Sequence, residues 1–314
     1  MKKLISKIKI FISSIYWYKY LLAKYRKKIV EKDPETEMRR VYTKVFDKEP
    51  DLEHPKDLIE KIYWMQLHGD TSLWTRCADK YAVREYVREC GFEKYLPKSL
   101  GKWDNPEDID FESLPKEFVL KTNNGCGTIL VVPDKSKIDQ KGTRKKLKRW
   151  LRLPYGWVGA QLHYTRIKPC VIAEELLHQS DDKNAISPKS LVDYKVWCFS
   201  GVPEAVWVAF NRHDVKYVNM ALFDTRWNPM PQHLHSIDTD KYNPDITIPK
   251  PTCLDEMLKI AAGLSKPFPE VRVDFYEING RPVIGEMTFS SGYGFYTKDY
   301  YRYLGDKTII KELL

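Results

Sequence analysis

The chain has 314 residues, 43% of them hydrophobic, enough for one large domain or two to three smaller ones around a substantial core. Its net charge of +9 is concentrated: nine of the 52 Lys and Arg lie in residues 1–28, where no acid occurs, and the remainder is neutral. That excludes a body-wide basic footprint for nucleic acid. Six cysteines without C-x-x-C pairs or a matching His set indicate neither a zinc site nor a disulfide framework, so a reducing, cytoplasmic setting is expected.

At the N-terminus, Lys2, Lys3, Lys7, Lys9, Lys19, Lys24, Arg26, Lys27 and Lys28 interleave with Leu4, Ile5, Ile8, Phe11, Ile12, Ile15, Trp17, Tyr18, Leu21 and Leu22. The longest uncharged run, Ile10–Tyr18, falls well short of the ~20 apolar residues that cross a bilayer. The basic start lacks the small-residue cleavage site of a signal peptide. The pattern predicts a basic amphipathic helix over residues 1–32 whose segment 1–28 lies on an anionic membrane surface, peripheral to the inner face, with lysines snorkelling and aromatic rings at the interface. Docking of that helix on the protein's own body is the alternative.

Residues 33–110 form an N-terminal region of charged linker and short helices punctuated by Pro34, Pro50 and Pro55, with helical periodicity at Leu58, Ile62 and Met65. A helix is expected from Asp79 as its N-cap, through Val83, Tyr86 and Val87, to Gly91 as its stop. Residues 111–177 read as one lobe. In it the strand Phe118–Lys121 enters the loop Thr122-Asn123-Asn124-Gly125-Cys126-Gly127-Thr128 and leaves as Ile129–Val132. A basic stretch from Lys135 to Trp150 reads as a solvated helix face, and Val171–Leu177 as a strand carrying Glu174 and Glu175.

Residues 178–314 read as a second lobe, with strands at Tyr194–Phe199 and Ala205–Phe210, a polar segment rich in proline, and a helix near Leu254–Leu264. Two further strands, Arg272–Tyr276 and Val283–Thr288, flank an Asn279-Gly280 turn. Mixed elements with antiparallel hairpins make this an α+β architecture of linked lobes.

The last hairpin carries the strongest chemistry. Side chains alternate along a strand, so Arg272 and Asp274 share one face while Val273 and Phe275 take the other. Pairing through Asn279-Gly280 brings Asp274 near Glu286, and two close carboxylates without a base between them suit Mg²⁺ carrying nucleotide phosphates. In the first lobe, Gly125 and Gly127 allow backbone amides to close over phosphate oxygens, and Lys121 supplies a point charge just before them. Neither piece is specific alone. Asp108-Ile109-Asp110 and Asp238-Thr239-Asp240 carry the letters of a sugar-nucleotide motif in polar stretches and read as chance.

The order is more specific than the parts: Ala78-Asp79-Lys80, then Lys121 before the Gly-rich hairpin, then Glu174-Glu175-Leu176-Leu177, then Arg272-Val273-Asp274-Phe275, then Glu286-Met287-Thr288 with Gly292 beyond. The series resembles the ATP-grasp superfamily over roughly residues 75–295. The wording of Asp193–Gly201, of Val271–Tyr276 and of Gly285-Glu286-Met287-Thr288-Phe289 is similar to its TupA-like branch, which is named for teichuronopeptide synthesis. The resemblance implies an ATP-grasp fold whose two α+β lobes grip ATP, and an ATP- and Mg²⁺-dependent ligase joining a carboxylate to an amine in bacterial capsular or surface-polysaccharide biosynthesis. A uronic acid or acidic amino acid would be the carboxylate. It assigns Lys80 and Lys121 to ATP phosphates, Gly125, Cys126 and Gly127 to the lid, and Glu174, Glu175 and Leu177 to the adenine site; Lys195 reads as a further phosphate or substrate contact, or equally as a solvated strand residue. Asp274, Glu286 and Thr288 become metal ligands, and Arg272 faces the reacting carboxyl. Thr288 departs from the wider superfamily, which has Asn there, and Ser290-Ser291-Gly292 replaces its Pro-Gly. A phosphotransferase acting on a sugar hydroxyl and a non-catalytic nucleotide-binding scaffold are the rival readings.

Overall fold

The computed structural model describes residues 16–188, 190–212, 218–235, 248–291 and 293–311. The expectations for residues 1–15, for Gly292 and for Asp238-Thr239-Asp240 therefore lie outside the described residues. The chain divides into two compact units, one of residues 1–44 and 99–176, the other of residues 45–98 and 177–314. Both combine helices with an antiparallel sheet, as the α+β reading expects.

The first unit is built on a four-stranded sheet in the order β1-β4-β2-β3, from β1 (Ser99–Trp103), β2 (Phe118–Thr122), β3 (Ile129–Val132) and β4 (Val171–Glu174). Phe118 and Leu120 point from β2 into a core shared with Val132, Val171, Ala173 and Leu147, the last from helix Gln140–Leu151. The alternation that buries them turns Val119 and Lys121 to the opposite face. Two helices, Tyr16–Lys32 and Pro34–Phe46, precede this sheet in sequence. Pro34 opens the second without loss, because the first N–H of a helix has no partner to lose. The Asp33 carboxylate accepts from the Glu35 amide at 3.0 Å and from the Thr36 hydroxyl. Where the sequence suggested linker, residues 34–46 are thus a continuous capped helix that ends at the boundary of the units.

The second unit holds a five-stranded sheet in the order β7-β6-β5-β8-β9, from β5 (Asp193–Phe199), β6 (Val202–Phe210), β7 (Asn219–Asp224), β8 (Val271–Ile278) and β9 (Arg281–Thr288). Helix Leu254–Ser265 packs on β5, β6 and β8 through Leu254, Met257, Ile260, Ala261 and Leu264. Helix Leu58–His68 begins with a reciprocal cap between Asp57 and Glu60. It packs against helix Lys298–Lys307, where Lys61 Nζ donates to the carbonyls of Gly305 and Thr308 at 2.7 and 2.8 Å. Between β8 and β9 the chain reverses through Asn279 and Gly280 at φ of 52° and 71°. Both central residues of a type I′ turn need that left-handed conformation, and Asn-Gly tolerates it best.

Candidate functional site

Register decides the chemistry of the second unit. Trp207 on β6 is paired with Lys195 on β5, Lys195 with Asp274 on β8, and Asp274 with Glu286 on β9. Directly opposed residues project from the same face of a sheet, so these four side chains form one row across four strands. The neighbouring row runs Trp197, Arg272, Thr288. Lys80 enters from outside the sheet. It sits in the turn between helices Ser72–Ala78 and Val83–Glu89, whose Tyr81 and Ala82 amides are held by the Asp79 carboxylate at 2.8 and 3.2 Å. Its Nζ lies 3.2 Å from Glu286 Oε2.

Asp274 is the centre of this cluster. It is almost fully buried, and a buried carboxylate must be paired. Arg272 Nε donates to Oδ1 at 2.7 Å and Nη2 to Oδ2 at 2.8 Å, a two-pronged grip, while Lys195 Nζ donates to Oδ2. Arg272 also donates from Nη1 to Ser291 Oγ and from Nη2 to Thr288 Oγ1, the latter at 3.2 Å, so four of its five N–H groups are committed. Trp207 supports the guanidinium from below, its ring centroid 5.4 Å away.

The electrostatics follow from this packing. Burial opposes ionisation of Glu286, but Lys80, Lys195 and Arg272 prevail and hold its carboxyl down at about 2. Burial likewise opposes charge on Arg272, and Asp274 and Glu286 hold it charged. Asp193, with burial, Glu286 and Asp274, keeps the Tyr276 hydroxyl well above its ordinary range. Glu286→Gln is therefore expected to cost stability above pH 4.5, the ordinary value. The wild type's advantage is expected to vanish as pH falls through about 2, because a depressed carboxyl stabilises only while it is ionised. Urea midpoints of both proteins across that range check this.

In the first unit, Lys121 and Glu174 share the face of β2 and β4 turned away from the core, with Nζ and Oε2 2.5 Å apart. The loop between β2 and β3 has a fixed base. Asn123 Oδ1 accepts from the Cys170 amide at 2.8 Å, its Nδ2 donates to the Lys168 carbonyl at 3.0 Å, and the Thr122 and Thr128 hydroxyls meet at 2.6 Å. Above that base Cys126 is exposed, Gly125 lies against the Tyr155 ring, and Gly127 holds φ at 73°. Gly127→Ala is expected to cost about 1 kcal/mol, since a Cβ disfavours that conformation. Gly125→Ala should cost less, needing only a small shift of the ring. Chemical unfolding of both variants checks the order.

Of the residues singled out from sequence, Lys80, Lys195, Arg272, Asp274, Glu286 and Thr288 are gathered on one face of the second unit's sheet. Leu177 is half-buried and also belongs to that unit. Lys121, Gly125, Cys126, Gly127, Glu174 and Glu175 belong to the first, where Glu175 follows the end of β4, half-buried. Asp193, Trp207 and Ser291 carried no assigned role. Asp193 stands 3.7 Å from Lys195 Nζ, two positions along the same strand face, a spacing that β5 makes legible afterwards.

The profile of the TupA-like ATP-grasp family matches residues 60–309. The chain belongs to that family. The resemblance read from its motifs is met, and the matched span of this TupA-like ATP-grasp chain contains every site residue singled out from sequence. No curated protein is significantly similar to it. Among solved structures it is similar to the D-alanine–D-alanine ligase of Bacillus anthracis complexed with ATP, at 14% identity and a TM-score of 0.42, covering 68% of this chain and 55% of that one. It is also similar to the L-amino acid ligase of Bacillus licheniformis, at 13% and 0.42, covering 71% and 44%. An ADP complex of N5-carboxyaminoimidazole ribonucleotide synthetase stands at 14% and 0.43, covering 74% and 51%. The TupA-like chain thus spans about half the length of these structures.

Proposed function

We propose that this chain is an ATP- and Mg²⁺-dependent ligase that joins a carboxylate to an amine through an acyl phosphate, working in the cytoplasm on bacterial capsular or surface polysaccharide. A uronic acid or acidic amino acid is the proposed carboxylate, and the proposed workplace is the inner face of the membrane. Family membership supports the nucleotide chemistry. The observation that carries the reading furthest is the row of Lys195, Asp274 and Glu286 with Lys80 closing its end.

The donor set fits Mg²⁺. Two carboxylates and a hydroxyl stand on paired strands, and Mg²⁺ asks little more from protein, taking its other ligands from water and phosphates. Asp274, Glu286 and Thr288 are the residues that would hold it. When bound, it supplies positive charge for phosphate oxygens during phosphoryl transfer. The chain's residues do the rest. Lys80 and Lys195, now paired with the two carboxylates, are proposed to turn their charge to phosphates, and Lys121 is likewise proposed as a phosphate ligand. Gly125, Cys126 and Gly127 are proposed to cover nucleotide phosphates, and Glu174, Glu175 and Leu177 to line the adenine site. Arg272 fixes the orientation of Asp274 and offers its remaining N–H to the reacting carboxyl. The substrate carboxylate takes the γ-phosphoryl group, and the amine then displaces phosphate. Catalysis in this reading is positioning and charge stabilisation.

The test is ADP release by the purified protein with Mg-ATP against a panel of uronic acids and amino acids, beside Asp274→Asn and Glu286→Gln. Acceptor-dependent release lost in both variants is expected. ATP binding without release for any carboxylate–amine pair, or release that yields a phosphorylated sugar, would overturn the ligase reading.

A further inference from the structure

Helix Tyr16–Lys32 has two faces. Its inner face is held: Ala23 and Val30, one heptad apart, are buried, and Arg26 Nη1 lies 3.2 Å from Glu37 Oε2. Glu37 is itself fully buried and accepts from the Gly159 amide at 3.0 Å and from Arg40. Lys27 lies over the Trp157 ring. The outer face is uncovered: Trp17, Leu21 and Tyr25, spaced by four, are 65%, 62% and 58% exposed, with Lys24 and Lys28 beside them. The one acid of the helix, Glu31, is paired with Lys27 at 3.4 Å.

A second basic element lies in the same unit. Helix Gln140–Leu151 buries Thr143 and Leu147 and exposes Lys145, Arg149 and, just beyond its end, Arg152. The chain that follows this helix, at Trp157 and Gly159, contacts the N-terminal helices through Lys27 and Glu37. Two basic segments more than a hundred residues apart in sequence therefore lie in one neighbourhood of this unit.

We propose that the outer face of helix Tyr16–Lys32, together with the Lys145–Arg152 end of the second basic helix, is a docking surface for an anionic lipid bilayer. Charge complementarity selects anionic headgroups, which attract clustered Lys and Arg. The exposed Trp, Leu and Tyr set between the lysines select a bilayer over nucleic acid, because an amphipathic helix lies in the interface by burying such side chains among acyl chains. Among the described residues no helix is long and apolar enough to cross a membrane.

The experiment is sedimentation of the full chain, without nucleotide, with phosphatidylcholine vesicles containing or lacking phosphatidylglycerol. Binding only to the anionic vesicles, weakening as salt rises, is expected. Trp17→Ser/Leu21→Ser/Tyr25→Ser should abolish it, and Trp17→Ser alone should weaken it. Lys145→Gln/Arg149→Gln/Arg152→Gln should lower the partition coefficient roughly a hundredfold, at about fivefold for each charge. Thermal midpoints equal to wild type show that the variants fold. Equal binding to neutral vesicles, indifference to the second set of substitutions, or tighter binding to RNA than to vesicles would each overturn the proposal. ADP release with a soluble acceptor is scored separately and should be unchanged in all three variants, so failure of this surface and failure of the ligase reading are distinguishable.

Discussion

Asp274→Asn is expected to abolish acceptor-dependent ADP release and to destabilise the second unit. Asp274 accepts from Arg272 on both oxygens and from Lys195 on one, and all three side chains are buried. An amide cannot neutralise two cations. Leaving buried charge uncompensated costs about 3–5 kcal/mol, and a transition-state loss of that size corresponds to roughly two hundredfold to five thousandfold in rate. Equilibrium unfolding separates the two effects: Asp274→Asn with Lys195→Met should regain part of the stability, because one orphaned cation is removed, while turnover stays lost. Wild-type turnover in Asp274→Asn would remove this residue from the chemistry.

Arg272→Lys keeps the charge and is expected to lower turnover by roughly 10²–10³, the range found when one preorganised donor to a developing oxyanion is removed. A lysine has one nitrogen where arginine has a planar fork, and it cannot hold both Asp274 oxygens, Ser291 and Thr288 together. ATP affinity should fall less than tenfold or so, since Lys80 and Lys195 retain their positions in β9's and β5's neighbourhood. Measuring nucleotide affinity beside the turnover number tests this. If both fall equally, Arg272 acts only by placing Asp274, and its proposed contact with the reacting carboxyl is wrong.

The hairpin shows how far local pattern reaches. Alternation put Arg272 and Asp274 on one face and Asn279-Gly280 fixed the turn, but a regular hairpin through that turn would set Asp274 opposite Gly285; the bulge between Asp274 and Phe275 is what brings it opposite Glu286. Phe118–Lys121 with its glycine loop was legible for the same reason, since strand and turn preferences act over a few residues. Strand β1 was not anticipated, because Ser99-Leu100-Gly101-Lys102-Trp103 has no clear period, and pairing with β4 supplies what its sequence lacks. Strand β7 follows the same logic at the edge of the other sheet.

What the sequence determined by itself is what neighbours in the chain determine: which residues alternate, where the backbone turns, where charge accumulates, and the order of motifs that marks a TupA-like ATP-grasp chain. Only tertiary structure decided that Lys195 opposes Asp274 across 79 positions of chain, that Lys80 reaches Glu286, and that the guanidinium of Arg272 rests on Trp207. It alone brought Trp157 and Gly159, beyond helix Gln140–Leu151, against the N-terminal helices. Such pairings are set by register between strands and by packing of helices on sheets, and no local preference encodes which distant carboxylate a buried lysine will find.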